Sequence, residues 1–287
     1  MIAVGAAGAA STVMALAAGL AALGVLIGSF LNVVVYRVPL GMSIVRPASS
    51  CPTCSAEIKR RDNVPIVSWL LLRGRCRSCR TAISPRYPLV EAGTGAFFLV
   101  VAIAFSASIL HPTASGASLG GLLSMVAYLY LAAISVALAL IDIDTHRLPN
   151  AIVLPSYLIG FVLLAASALV SGRPGMLVPM VAGMVIAFTL YLVLWLVHPA
   201  GMGFGDVKLA GVLGLYLGFV GWPSLVVGLF AAFVLGGVFA IALVVLRRAG
   251  RRSGIAFGPW MLVGAWIGVL AGDTVWSSYM SLIGFGQ

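Results

Sequence analysis

The feature that most restricts this chain is the recurrence of long apolar runs. They fall at roughly 10–35, 89–110, 118–141, 151–171, 175–197, 206–221, 223–246 and 257–272. About 20 helical residues cross a hydrocarbon core of about 30 Å. In lipid every backbone N–H and C=O must be bonded within the protein, so only helices and closed barrels span it. Runs of this length, without period-two alternation, select helices. Composition agrees: 62% of the 287 residues are apolar and 8% charged, against about 25% charged in a soluble domain. The expected fold class is an all-α polytopic membrane protein with about eight transmembrane helices. The sixth run is short and Gly-rich. No Lys or Arg precedes Arg37, so the first run lacks the positive n-region of a cleavable signal peptide.

One hydrophilic stretch, residues 37–88, interrupts the pattern and holds ten of the 17 basic residues. A second basic loop, RRAGRRSG, spans 247–254. Lys and Arg in short loops mark the cytoplasmic side. With 37–88 inside, the loops near 147, 200 and 250 lie inside and those near 114, 173 and 222 outside. Only Arg173 of the basic residues is then external, and both termini lie outside. The expected organisation is a first span (1–36), a cytoplasmic loop domain (37–88) and a larger membrane domain (89–287). A formal net charge of +10 invites a nucleic-acid partner. The basic residues sit where membrane topology puts them, so the expected partner is membrane lipid and not nucleic acid.

Seven acids remain to be explained. Glu57 and Asp62 lie in the basic loop, as solvated partners for its arginines. Asp273 reads as an interfacial residue near the outer end of the last span. Glu91 opens the second span, where an anion suits a helix N-terminus. Asp142, Asp144 and Asp206 differ. The first two lie in IDIDTHRLPN (141–150), at the end of an apolar run. Asp206 lies in GMGFGDVKLA (201–210), where a cytoplasmic loop enters the sixth run. Two complete crossings separate Asp142 from Asp206, so both return to the same membrane face. Ionisable groups at membrane depth are costly and usually functional. Two carboxylates sharing a proton supply one acid and one base, which is what activating water against a peptide carbonyl requires. Gly203 and Gly205 permit close backbone approach beside Asp206.

The competing account makes each aspartate a helix cap. It suits Asp206, at a helix start. It fails for Asp142, because a helix C-terminal end disfavours an anion. Asp144, two residues on, reads as a hydrated loop residue beside the site. Lys208 either steers the charge of the pair or anchors to headgroups, and the anchor is the simpler reading.

All four cysteines fall in the 37–88 loop, as CPTC (51–54) and CRSC (76–79) with 21 residues between. Paired CxxC motifs at this spacing predict a tetrathiolate zinc site of Cys51, Cys54, Cys76 and Cys79, like a zinc ribbon. A cytoplasmic loop is reducing, which disfavours disulfides. A redox dithiol and metal-free thiols are the alternatives. The zinc is expected to fold a loop too small for its own core, and not to do chemistry.

An ordered set of motifs then resembles a known family. GSFLNVVVYRVP (28–39), CPTC, NVPIVSWLLLRGRCRSC (63–79), ISPRYPLVEAGTG (83–95), IDIDTHRLPN, GMGFGDVKLAG and AFGPWM (256–261) together resemble bacterial type IV prepilin peptidases. These are membrane aspartic endopeptidases of the GxGD class. The resemblance implies cleavage of the basic leader from prepilins or pseudopilins, at the cytoplasmic face of the bacterial inner membrane. It implies Asp142 and Asp206 as the catalytic pair, with Asp144 outside it. The four-cysteine loop resembles that of the longer members, which also methylate the new N-terminal amine with S-adenosylmethionine. No Gly-rich methyltransferase loop follows a strand here, so methyl transfer rests on the resemblance and no residue is assigned to the methyl donor. The alternatives are a peptidase without methyl transfer, a proton-coupled transporter using membrane carboxylates, and a scaffold whose zinc loop docks a partner.

Overall fold

The computed structural model describes residues 2–110, 117–199, 201–246 and 256–284. The loop expected near 114 and the basic RRAGRRSG loop lie outside the described residues. Among the described residues the α-helices are α1 (Ile2–Arg37), α2 (Val67–Leu71), α3 (Arg86–Leu110), α4 (Ala117–Thr145), α5 (Asn150–Val170), α6 (Leu177–Val197), α7 (Phe204–Val220), α8 (Trp222–Val245) and α9 (Gly258–Leu282). The all-α class is as expected. Among the described residues, six helical stretches are long and apolar enough to cross a bilayer: Val13–Arg37, Arg86–Ser106, Ser118–Thr145, Asn150–Val170, Pro174–Val197 and Trp222–Val245.

The ends of two runs differ from the sequence reading. Helix α4 continues through Thr145, so Asp142 and Asp144 are in its last turns. Helix α9 continues to Leu282, so Asp273 is an exposed residue within a helix and not at its outer end. Both extensions pass polar residues that a search for apolar runs stops at.

The chain forms two compact units. The first comprises residues 1–110 with 128–137. In it α1 and α3 pack through small residues. A methyl group on Gly28 would lie 2.7 Å from Glu91 Cα, and one on Gly24 would lie 2.8 Å from Phe98 Cβ. Without a hydrophobic drive between helices in lipid, small residues let backbones approach and gain dispersion contact. Tyr128, from the middle of α4, is fully buried in this unit and stacks on Phe105 at 4.4 Å.

Glu91 corrects an expectation. It is the sixth residue of α3, buried, and not an anion at the helix start. Its Oε2 accepts the backbone N–H of Ile66 at 2.6 Å. Ile66 has φ +61, an unusual value for a β-branched residue. The carboxylate therefore ties the turn that opens α2 onto a membrane helix.

The second unit comprises residues 111–127 with 138–287. Helix α7 is its centre. Apart from Lys208, every residue from Asp206 to Phe219 is buried. A helix apolar on all sides belongs inside a bundle, and α7 contacts α5, α6, α8 and α9. Its 17 residues span about 25 Å. Gly214 and Gly218 meet Gly183 of α6, so tightly that no side chain fits between the two backbones. Gly221, at φ +150, turns the chain directly from α7 into α8.

Candidate active site

The second unit brings together Asp142 and Asp206. Both are buried, at 5% and 8% exposure. Asp206 is the third residue of α7. Its Oδ2 accepts the N–H of Gly203 at 3.1 Å, and its own N–H donates to Gly203 O at 3.0 Å. The reciprocal bonds fix both the helix start and the carboxylate. Capping and site geometry are thus the same contact, not rival accounts.

Asp142 lies one turn before the end of α4. His146, left-handed at φ +52, ends the helix by donating its N–H to Asp142 O at 2.8 Å. The side-chain Oδ2 of Asp142 accepts the N–H of Gly258 at 2.9 Å. Gly258 is the first residue of α9. The aspartate at an unfavourable helix C-terminus therefore faces the favourable N-terminus of another helix.

The two carboxylates are close enough for their charges to interact. Leu148 lies beside Gly205, next to Asp206, and beside Gly258, which holds Asp142. A methyl on Gly205 would lie 3.0 Å from Leu148 Cβ, and one on Gly258 would lie 3.5 Å from Leu148 Cδ2. Asp144, by contrast, is exposed. Lys208 is held within the protein: its Nζ donates to Asn150 Oδ1 and lies 5.3 Å over the Phe204 ring. Tyr157 Oη donates to Lys208 O at 2.6 Å, so α5 and α7 are pinned twice at this level.

Sequence reasoning did not assign Gly258, Leu148 or Tyr191, whose hydroxyl lies within charge range of Asp206. A signal for Gly258 was present. Pro259 directly after it marks the start of a helix, and helix starts hold anions. Nothing in the sequence marks Tyr191, which sits in an apolar run.

The cysteines converge in the first unit. The four Sγ atoms of Cys51, Cys54, Cys76 and Cys79 lie within 4.8 Å of one another. Two matching turns build the site. Cys51 N–H donates to Ala56 O and Ser55 N–H to Cys51 O, at 2.9 and 2.8 Å. Cys76 N–H donates to Thr81 O and Arg80 N–H to Cys76 O, at 2.8 and 3.1 Å. Ser55 and Arg80, each four residues past its cysteine, are both left-handed, at φ +56 and +60. Backbone N–H groups of Cys54 and then Thr53 hold the Cys51 thiol down to about 6. Cys51 and Cys79 Sγ are 3.8 Å apart, the edge of a tetrahedron whose Zn–S bonds are about 2.3 Å. The residues present fit zinc. Arg77 braces the second turn with a fork to Asp62, from Nε at 3.0 and 2.8 Å and from Nη2 at 2.5 Å. Hydrogen bonding from Arg77 holds the Asp62 carboxyl below the usual carboxylate range.

Two family models match the chain. The bacterial peptidase A24 N-terminal domain matches residues 22–105, and the type IV leader peptidase family matches residues 129–241. The prepilin leader peptidase/N-methyltransferase of Pseudomonas putida is 36% identical, covering 92% of this chain and 93% of its own. The protein of the same name from Neisseria gonorrhoeae is 36% identical over 89% of this chain and 91% of its own. That from Aeromonas salmonicida is 34% identical over 90% and 91%. No solved structure matches.

Proposed function

This chain belongs to the type IV leader peptidase family, and from that premise we propose that Asp142 and Asp206 form its catalytic dyad. The chain is a prepilin leader peptidase and N-methyltransferase of the inner membrane, with several spans. The observation that carries the assignment is a pair of buried carboxylates in one unit, each held by a backbone N–H at a helix start. Nothing favours the transporter or scaffold readings over the family to which the chain belongs.

The dyad works by sharing a proton. Two carboxylates in one buried site do not both ionise readily. One takes a proton from water as it attacks the scissile carbonyl carbon. The carbonyl π pair moves to oxygen. The other protonates the departing amine as the C–N bond breaks, and no covalent acyl-enzyme forms. The amides of Gly203 and Gly258 keep each carboxylate in place, at no reorganisation cost during the reaction. A prepilin is an apolar helix behind a basic leader. Its cleavage site thus lies at the membrane boundary, and the basic loops put the dyad on the cytoplasmic side.

Zinc at Cys51, Cys54, Cys76 and Cys79 would organise the 37–88 loop structurally. The methyl donor is S-adenosylmethionine. Among the described residues no strand precedes a Gly-rich loop, so no donor-binding residue is assigned. The new α-amine has an ordinary pKa near 8, so a fair fraction is neutral at cytoplasmic pH. Methyl transfer then needs mainly positioning.

The test is prepilin cleavage by purified single variants. Asp142→Asn and Asp206→Asn should each abolish processing, and the double variant should be no worse than either. Asp144→Asn should be mild. An inactive Asp144→Asn with an active Asp142→Asn would overturn the assignment.

A further inference from the structure

Tyr191 lies on α6 and is fully buried. Its ring is held by two others, Phe233 at 5.2 Å and Phe257 at 6.3 Å between centroids. Phe257 directly precedes Gly258, whose N–H holds Asp142. The Tyr191 hydroxyl also senses the charge of Asp206. Through Phe257 the phenol is packed against the start of α9 that holds Asp142. The carboxylates each have a backbone donor. Among the described residues the Tyr191 hydroxyl has no hydrogen-bond partner.

A buried hydroxyl without a partner is destabilising. In a membrane bundle, phenylalanine would serve the packing equally well and avoid that cost. The ring contacts need no oxygen. An unmet donor beside a reacting pair is what an oxyanion hole looks like before substrate arrives. The dyad leaves that role open, since its aspartates are committed to moving protons and their two backbone donors are committed to the aspartates.

We propose that Tyr191 is a third catalytic residue, whose hydroxyl donates a hydrogen bond to the scissile carbonyl oxygen as it becomes an oxyanion. This inference rests on the dyad reading above. As water attacks, the C=O π pair moves onto oxygen and the Tyr191 O–H···O⁻ bond shortens. No proton leaves Tyr191. When the tetrahedral intermediate collapses, the pair returns to re-form C=O and the C–N pair departs with the proton from the acid aspartate. The phenol is a weak acid, which suits a donor that must hold its proton.

The test is Tyr191→Phe in the full-length enzyme, assayed with a prepilin in detergent and compared with Asp206→Asn. Losing one oxyanion donor typically costs about 10²–10³-fold in kcat. The expected result is a fall of about 10²-fold in kcat with KM unchanged. Methyl transfer to a pre-cleaved pilin should stay at the wild-type level, and Tm should hold or rise because a stranded hydroxyl is gone. Unchanged kcat overturns the proposal. So does a parallel loss of cleavage, methyl transfer and Tm, which would make the hydroxyl structural. A displaced pH profile with undiminished maximal kcat also overturns it, making Tyr191 a positioning residue acting through Asp206. If Asp206→Asn still cleaves, the dyad reading itself fails. If Asp206→Asn is dead and Tyr191→Phe fully active, only the present inference falls.

Discussion

Replacing Gly258 by alanine tests the site through a single methyl group. The new Cβ would stand 2.7 Å from Asp142 Oδ2, where ordinary contact begins at 3.4 Å. Something must retreat by about 0.7 Å. The backbone at Gly258 is helical and fixed by α9, and alanine is at ease there. The obstructing atom is the free end of a carboxylate, so the carboxylate moves. Stability should change little. The Gly258 N–H bond to Asp142, 2.9 Å long, is stretched or lost. Hydrogen bonds to charged groups contribute about 1.5–3 kcal/mol, and misplacing a reacting group by about 1 Å costs roughly 10²-fold. Both estimates converge on a fall of about 10²-fold in kcat, or about 2.7 kcal/mol. Gly203→Ala is the comparison. Its Cβ would lie 3.5 Å from Asp206 Oδ2 at an ordinary φ of −77°, so it should cleave near the wild-type rate. Initial rates of leader removal from a purified prepilin, across substrate concentrations, separate kcat from KM. A Gly258→Ala enzyme with wild-type kcat would refute the holding of Asp142 by α9. Equal losses in both variants would refute the contact argument.

Two further outcomes follow from the division into units. Purified protein should carry about one zinc per chain by elemental analysis, and Cys54→Ser should lose it and expose the 37–88 loop to protease, because metal binding supplies much of such a loop's folding free energy; metal-free protein with four titratable thiols would count against this. Methyl transfer and proteolysis should separate: Asp206→Asn should still pass a labelled methyl group from S-adenosylmethionine to pre-cleaved pilin, while Cys54→Ser should keep cleavage better than methylation, on the proposal that the cysteine loop adjoins the methyl-donor site and the dyad lies in the other unit. Transfer lost in Asp206→Asn but intact in Cys54→Ser would reverse that division of labour.

The long helices were legible because a bilayer imposes one requirement, apolar length, and a run of twenty apolar residues meets it in few ways. The convergence of the four cysteines was legible because paired CxxC spacing brings thiols together. Less legible were contacts made by backbone. Glu91 looked like a helix-start anion until its partner proved to be the N–H of Ile66, 25 positions earlier. The bond of Lys208 to Asn150 and its place over Phe204 were likewise invisible in the sequence. Residue type says what a side chain offers, but a backbone N–H is common to nearly every residue. Its role is visible only once the fold has aimed it.

That limit explains how the proposed dyad is held. Carboxylates inside a bilayer need donors, and apolar helices offer few side-chain ones. Helix interiors have spent their N–H groups on their own turns. Only the first turn of each helix keeps N–H groups free. The chain uses two such starts: Gly203 before α7 holds Asp206, and Gly258 at α9 holds Asp142. Each start also lends the positive end of its helix dipole. Asp142 most needs this, because the end of its own α4 opposes an anion. At the start of α9 glycine keeps the carboxylate close. A side chain at Gly258 would collide with the acceptor, and one at Gly205 would press on Leu148. At Gly258, glycine is thus a requirement of using backbone as the donor, whereas Gly203 has room for a methyl group. With the proposed dyad, the acids sit where helices begin, and the depth of those beginnings would set where along a membrane-anchored substrate the enzyme cuts.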